Sequence, residues 1–207
     1  MPLFADYLRR GYYPIVLEPD FDSKLQQVVC QTLERDIPLF ADMHVSTGRK
    51  LKQLMALLAE QVPFKPNMSK IATMLGGSRN NMADYLLFME EAGMVCQLKD
   101  DTGGIRGLGK VQKVYLDNTN LAHSLAREYV NQGNVKETIF INQVRVKHSI
   151  VSSPLADFRV EGIDFGVGGK NKGIKQIQGA ERGYVVQDDI ERGYRNVLPL
   201  WHVGLLY

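Results

Sequence analysis

Three groups of residues have the types and spacing that chemistry requires. The first is Gly104, Gly109 and Lys110, which show the GxxxxGK spacing of a phosphate-binding loop. Such a loop places a Ser or Thr next, whose hydroxyl holds magnesium, and it runs from a strand into a helix so that backbone N–H groups face the phosphates. Here Val111 follows Lys110, Asp100 and Asp101 lie upstream, and Val111 to Leu116 read as a strand. The segment therefore reads as a loop between two strands rather than a nucleotide site.

The second group is a set of carboxylates. Metal-dependent nucleases of the PD-(D/E)xK pattern hold magnesium with an Asp at the start of one strand and an acid on the next. A Lys two residues beyond that acid activates water or stabilises developing charge. Asp157 can supply the first acid, but the following strand, Asp164 to Lys170, places Gly166 and Gly168 where the acid and the lysine belong. Glu161, Asp164 and Lys170 are nearby, none at the working spacing. Asp157 accordingly reads as a strand-edge residue and Glu161-Gly162 as a hairpin turn, with no metal site and no cofactor expected. A nuclease built on Asp157 with displaced acids is the competing reading.

The third group is Arg79, Asn80 and Asn81, at the start of a helix capped by Ser78. In helix-turn-helix proteins these positions reach base edges, and Arg and Asn suit guanine and adenine. Arg106 and Lys110 in the glycine-rich loop could then meet phosphates. Asp84, Glu90 and Glu91 on the same helix oppose that approach. His44, His123, His148 and His202 are isolated in sequence, and no nucleophile stands in a GxSxG setting. Cys30 and Cys96 match no metal spacing and read as reduced thiols.

The elements that must position these groups follow from periodicity. Leu3, Phe4, Tyr7 and Leu8 have helical spacing up to Gly11. A helix from Asp22 or Ser23 carries Leu25, Val28, Val29 and Leu33 and runs out near Pro38. Another over 48–62 carries Leu51, Leu54, Met55, Leu58 and Val62, with Pro63 and Pro66 as stops. A short helix with Ile71, Ala72 and Leu75, a Gly76-Gly77 turn and the Ser78 helix with Met82, Tyr85, Leu86 and Met89 come next. Strands at Met94 to Leu98 and Val111 to Leu116 flank the loop over 99–110. Three helices and a hairpin are the order of a winged helix, placed at 46–117.

Helices near 118–130 and 134–147 follow. Strands are expected at 149–151, 157–160, 163–167, 184–186 and 200–205, with a short helix near 171–180. This pattern indicates a small α/β domain over 118–207. The fold class is α+β with an α/β end.

Composition sets outer limits. In 207 residues, 44% are hydrophobic and 23% charged, enough to build cores, and the net charge of +2 is too small to signal a nucleic-acid or membrane partner. Residues 1–45 carry 4 basic and 7 acidic side chains, residues 46–117 carry 10 and 7, and residues 118–207 carry 11 and 9. A mild basic bias therefore begins after residue 45. The apolar runs are far short of the roughly 20 residues of a membrane helix, and no signal-peptide pattern opens the chain, so a soluble, cytoplasmic protein is expected.

Several stretches together resemble a known family. They are Phe4 to Pro14, Thr32 to Pro38, Val62 to Asn67, Lys113 to Leu121, Lys136 to Gln143, Val167 to Lys172, Asp188 to Glu191 and Pro199 to Trp201. In this order they are similar to the C-terminal half of a large prokaryotic AAA-type ATPase family. The resemblance implies a helical segment over 1–45 that follows a missing ATPase core, a winged helix, and a PD-(D/E)xK nuclease-like domain that is inactive here. At Gly166 the family's usual residue is Glu. A non-catalytic regulatory or interaction module is the resulting expectation. Its partners would be a separate ATPase domain, a second copy or, weakly, DNA.

Overall fold

The computed structural model describes residues 2–61, 65, 67–101, 109–126 and 130–206. Arg106, the glycine-rich loop through Leu108 and the Val62, Pro63 and Pro66 helix end lie outside these residues. The protein is mixed α+β, with eight α-helices and two sheets among the described residues. It divides into two compact units, each discontinuous in sequence: Arg9–Gln97 with Val114–Val130, and Met1–Leu8 with Leu98–Lys113 and Asn131–Tyr207. The first helix, α1 (Pro2–Arg10), and the hairpin of β1 (Val95–Lys99) and β2 (Val111–Leu116) contribute to both.

The first unit is helical. Helix α2 (Phe21–Gln31) continues through a π-turn (Thr32–Asp36) into α3 (Ile37–Phe40). The helical path therefore ends at Phe40, just past Pro38 and near the expected stop. Pro38 lacks the N–H that would bond back one turn, and the wider π-turn immediately before it is where the ladder changes register.

Helix α4 (Thr47–Gln61) is the centre of this unit, with Leu51, Leu54, Met55 and Leu58 buried at alternating spacings of three and four. Its start lies against the π-turn so closely that a Cβ on Gly48 would meet Glu34 Cα at 2.8 Å and Leu33 O at 3.2 Å. Helices α5 (Met68–Leu75) and α6 (Arg79–Glu91) pack on each other, and α7 (Thr119–Ala126) lies against α2 and α4. Asn67 caps α5 by accepting from Lys70 N, and Ser78 caps α6 by accepting from Asn81 N. These caps satisfy amides that the first helical turn leaves without partners.

The second unit is a five-stranded sheet in sequence order: β3 (Ile150–Ser152), β4 (Phe158–Val160), β5 (Ile163–Gly168), β6 (Gly183–Gln187) and β7 (Val197–Pro199). Strands β3 to β5 are antiparallel, whereas β5, β6 and β7 run parallel. Val160 pairs with Ile163 around Glu161-Gly162, which have φ of 49° and 81°. Two consecutive positive φ angles match the twist of the flanking strands, so this is the expected hairpin turn.

Helix α8 (Gln132–Val144) covers one sheet face, where the Phe140 ring lies 5.0 Å from Phe158 and 5.4 Å from Phe165. On another part of the sheet Ile177, Val185 and Val197 form a small core with Ala156, Ala180 and Ile190.

Two elements differ from expectation. Residues 200–205 are a 3-10 helix (Leu200–Leu205), not a strand. Leu200 and Val203, three residues apart, are its buried residues, and that spacing is the period of a 3-10 turn. The strand is the preceding Val197–Pro199. The helix expected near 171–180 condenses to one 3-10 turn, Ile174–Ile177, between Gly173 and Gly179. No helix among the described residues is long and apolar enough to cross a membrane.

Gly48 gives the clearest test of the helical packing. Ala is a better helix former than Gly by about 1 kcal/mol, yet its methyl must displace the backbone of the π-turn. Gly48→Ala should therefore lower stability by about 1–3 kcal/mol, measured by chemical denaturation. Equal or greater stability would contradict the close approach.

Candidate functional site

Of the carboxylates singled out in the sequence, Asp157 stands at one end of the sheet, apart from Glu161 and Asp164 in its bonding. Its backbone N–H donates to Phe165 O at 3.1 Å, just ahead of the Phe158–Phe165 strand pair, so it sits opposite Gly166. The loop that delivers it is fixed by Ser153. The Ser153 hydroxyl accepts from the amides of Leu155 and Ala156 and donates to Asp164 Oδ1 at 2.7 Å. Asp164 is buried and takes a bidentate pair from Arg159, Nε to Oδ1 and Nη2 to Oδ2, both 2.9 Å. The two residues are cross-strand partners in β4 and β5. The Arg159 guanidinium, ahead of the Ser153 hydroxyl, holds the Asp164 carboxyl below its ordinary range against the opposing effect of burial.

Asp157 itself faces lysines. Its Oδ2 accepts from Lys172 Nζ at 2.6 Å and from Val167 N at 2.8 Å, and its Oδ1 lies 3.8 Å from Lys113 Nζ. Lys113 also meets Glu137 of α8 at 3.1 Å. Lys172 additionally donates to the Val167 carbonyl, while its own carbonyl accepts from Gln187 Nε2 at 2.6 Å. Beside this group Lys136 pairs with Asp188 at 3.2 Å, and Asp188 N donates to Gly168 O at 3.0 Å. Three ammonium groups and three carboxylates therefore meet at the carboxyl ends of parallel β5 and β6, where open α/β sheets hold ligands.

Lys172 was not among the residues singled out in the sequence, and the two glycines explain its position. A Cβ at residue 168 would meet Lys172 Cβ at 3.1 Å and collide with its Cδ, and a Cβ at residue 166 would meet Gln176 Oε1 at 2.9 Å. The spaces left by the missing side chains at Gly166 and Gly168 are filled by Gln176 and Lys172. The lysine therefore reaches the strand-edge acid from the segment after β5 instead of from β5. The signal for it is Gly168-Gly169-Lys170-Asn171-Lys172, a bare strand end followed by two lysines, of which Lys170 is exposed.

The other nearby acids are committed elsewhere. Glu161 bonds His148 Nδ1 at 2.8 Å, and Asp164 belongs to the Arg159 pair. Among the described residues no group of three or more His, Cys, Asp or Glu could hold a metal ion. The residues at Asp157 do not fit a divalent cation: the Lys172 ammonium bonds one of its oxygens, the Lys113 ammonium lies 3.8 Å from the other, and residue 166 offers no ligand.

The expected DNA-reading residues lie elsewhere. Arg79, Asn80 and Asn81 are exposed on the first turn of α6, and Asn81 is engaged with the Ser78 hydroxyl. Glu90 does not face solvent freely, because its carboxylate accepts from Gln97 N at 2.7 Å and Gln97 Nε2 at 2.8 Å. Lys110 is exposed, and its amide donates to Asp100 Oδ1 at 2.9 Å at the base of the hairpin loop.

The Asp164 pair has a testable pH signature. A carboxyl whose folded pKa is depressed contributes stability that is present above its unfolded value of about 3.9 and is lost as pH falls through the folded value. Asp164→Asn should cost about 1–3 kcal/mol at pH 7 and should flatten the decline in stability below about pH 4. Unchanged stability at pH 7, with the same acid profile, would contradict this role.

Residues 1–132 match the family described as Domain of unknown function (DUF8612). The match includes Lys113, whereas Glu137, Asp157 and Lys172 follow it. No curated protein matches the chain, and no solved structure does. With well over half of its sequence matched, the chain belongs to the DUF8612 family.

Proposed function

We propose that this protein is a non-catalytic interaction module of the cytoplasm, related to the C-terminal half of an AAA-type ATPase. In this reading α4, α5, α6 and the β1–β2 hairpin are a winged helix. Helix α8 with β3 to β7 is a nuclease-like domain whose site no longer works. Its partners are an ATPase domain or a second copy of the chain.

The observation that carries the reading is the ion pairing of Asp157 with Lys172 at 2.6 Å and with Lys113 at 3.8 Å. Metal-assisted hydrolysis needs a cation with open coordination positions between carboxylates. Here ammonium groups neutralise the acid, and an ammonium neither polarises a phosphoryl oxygen as a Lewis acid nor lowers the pKa of a bound water. The helix–meander–parallel-strand order supports the nuclease-like assignment, while Gly166 and Gly168 argue against activity.

DNA binding is the second reading, favoured by the exposure of Arg79 and Asn80 and by the engagement of Glu90 with Gln97. It rests on few positive charges, so any binding should weaken with salt at a shallow log–log slope of about two to three.

One set of assays separates these readings. The purified chain, incubated with plasmid or single-stranded DNA, magnesium or manganese and ATP, should cleave no DNA and turn over no nucleotide. Metal-dependent cleavage that disappears in Asp157→Ala, or ATP turnover lost in Lys110→Ala, would overturn the non-catalytic reading. Low-salt binding of duplex that weakens on Arg79→Ala would favour the DNA reading instead.

A further inference from the structure

The unit built on the five-stranded sheet contains a cavity that the charge cluster does not use. It has a volume of about 280 Å³ and lies between α8, the sheet and the 3-10 helix after β7. Its walls include Val144 of α8, Val160 and Ile163 beside the hairpin turn, Val186 of β6, Leu198 of β7 and Val203. Almost the whole lining is apolar. The polar side chains that reach it are His148, Glu161 and His202.

These three residues are not equivalent. Glu161 is held at φ 49° in the hairpin turn and bonds His148 Nδ1 at 2.8 Å, so each largely satisfies the other. His202 is exposed, and its ring stands edge-on to Trp201 with centroids 4.3 Å apart. Among the described residues no side chain is bonded to it, which leaves its imidazole N–H available at the edge of an apolar cavity. Ligand sites combine apolar walls with a few placed polar groups that orient the ligand.

We propose that this cavity binds a small molecule with a short apolar body and a carboxylate head, the head accepting a hydrogen bond from His202. The volume lies near the lower end of the range for ligand pockets, about 300–1,000 Å³, so a short acyl chain or a single ring fits better than a long lipid. The apolar lining selects the body. The carboxylate suits the imidazole that is not bonded to Glu161. A second copy of the chain docking on this face is the rival occupant.

Octanoate and 1-octanol are suitable probes for calorimetric titration, because they share the chain and differ in the head. The wild type should bind octanoate saturably and more tightly than octanol. His202→Ala, at an exposed position, should weaken octanoate about tenfold, in keeping with loss of a charge-assisted hydrogen bond, and leave octanol much less affected. Ile163→Trp, which fills the cavity from its partly exposed side, should abolish both while the thermal unfolding midpoint stays close to wild type. If Ile163→Trp fails to fold, His202→Ala still decides the head group. Absence of saturable octanoate binding would overturn the proposal. So would equal octanoate affinity in wild type and His202→Ala. Concentration-dependent dimerisation abolished by Ile163→Trp, without octanoate binding, would assign the face to a second copy and overturn it as well.

Discussion

Lys172 reaches Asp157 only because residue 168 has no side chain. The lysine stem occupies the space above Gly168, and its ammonium ends between the Asp157 carboxylate and the Val167 carbonyl. This bond joins the segment after β5 to the start of β4, and Gln187 of β6 then holds the Lys172 carbonyl. Asp157 and Lys172 are both largely shielded from water, with side-chain exposures of 15% and 16%. An ion pair in such a place is not a strong source of stability, because desolvation offsets the attraction. Removing either partner leaves a charge with too few bonds, and the arrangement is therefore hard to change one residue at a time.

The Ser153–Asp164–Arg159 network determines where Asp157 can be. It lies at the β4–β5 pairing, ties the loop before β4 to the core of the sheet, and closes the register set by the Glu161-Gly162 turn. A shift of one residue in that register would move Phe158 and Phe165 off the α8 face and would turn Asp157 away from Lys172. Aromatic packing against Phe140 and the charged cluster are thus set by the same pairing. Site and core are one construction in this unit.

Much of the framework was legible in the sequence because local chemistry sets it. The Ser78 cap, the period of α4 and α6, and the Glu161-Gly162 turn need only neighbours a few residues apart. The helical path ends close to Pro38, at Phe40, but the π-turn before it was not legible, because nothing local announces that wider turn. Residues 200–205 misled because Leu200 and Val203 are spaced for a 3-10 turn, while the apolar run around them resembles a strand. At the site, the spacing of Asp157, Gly166 and Gly168 is visible in the sequence, since each is placed by its strand. Lys172 and Lys113 were not recognisable. Their roles depend on how a loop folds back and on a pairing across 44 residues between Lys113 and Asp157, which periodicity does not encode.

At Asp157 the ammonium groups of Lys172 and Lys113 stand where a divalent cation would need open carboxylate oxygens. Manganese titration followed by electron paramagnetic resonance tests this directly, since free and bound ion give separable signals. The wild type should show no saturable manganese binding at millimolar concentration, and none that depends on Asp157. Stoichiometric binding to the wild type that is lost in Asp157→Asn would contradict it.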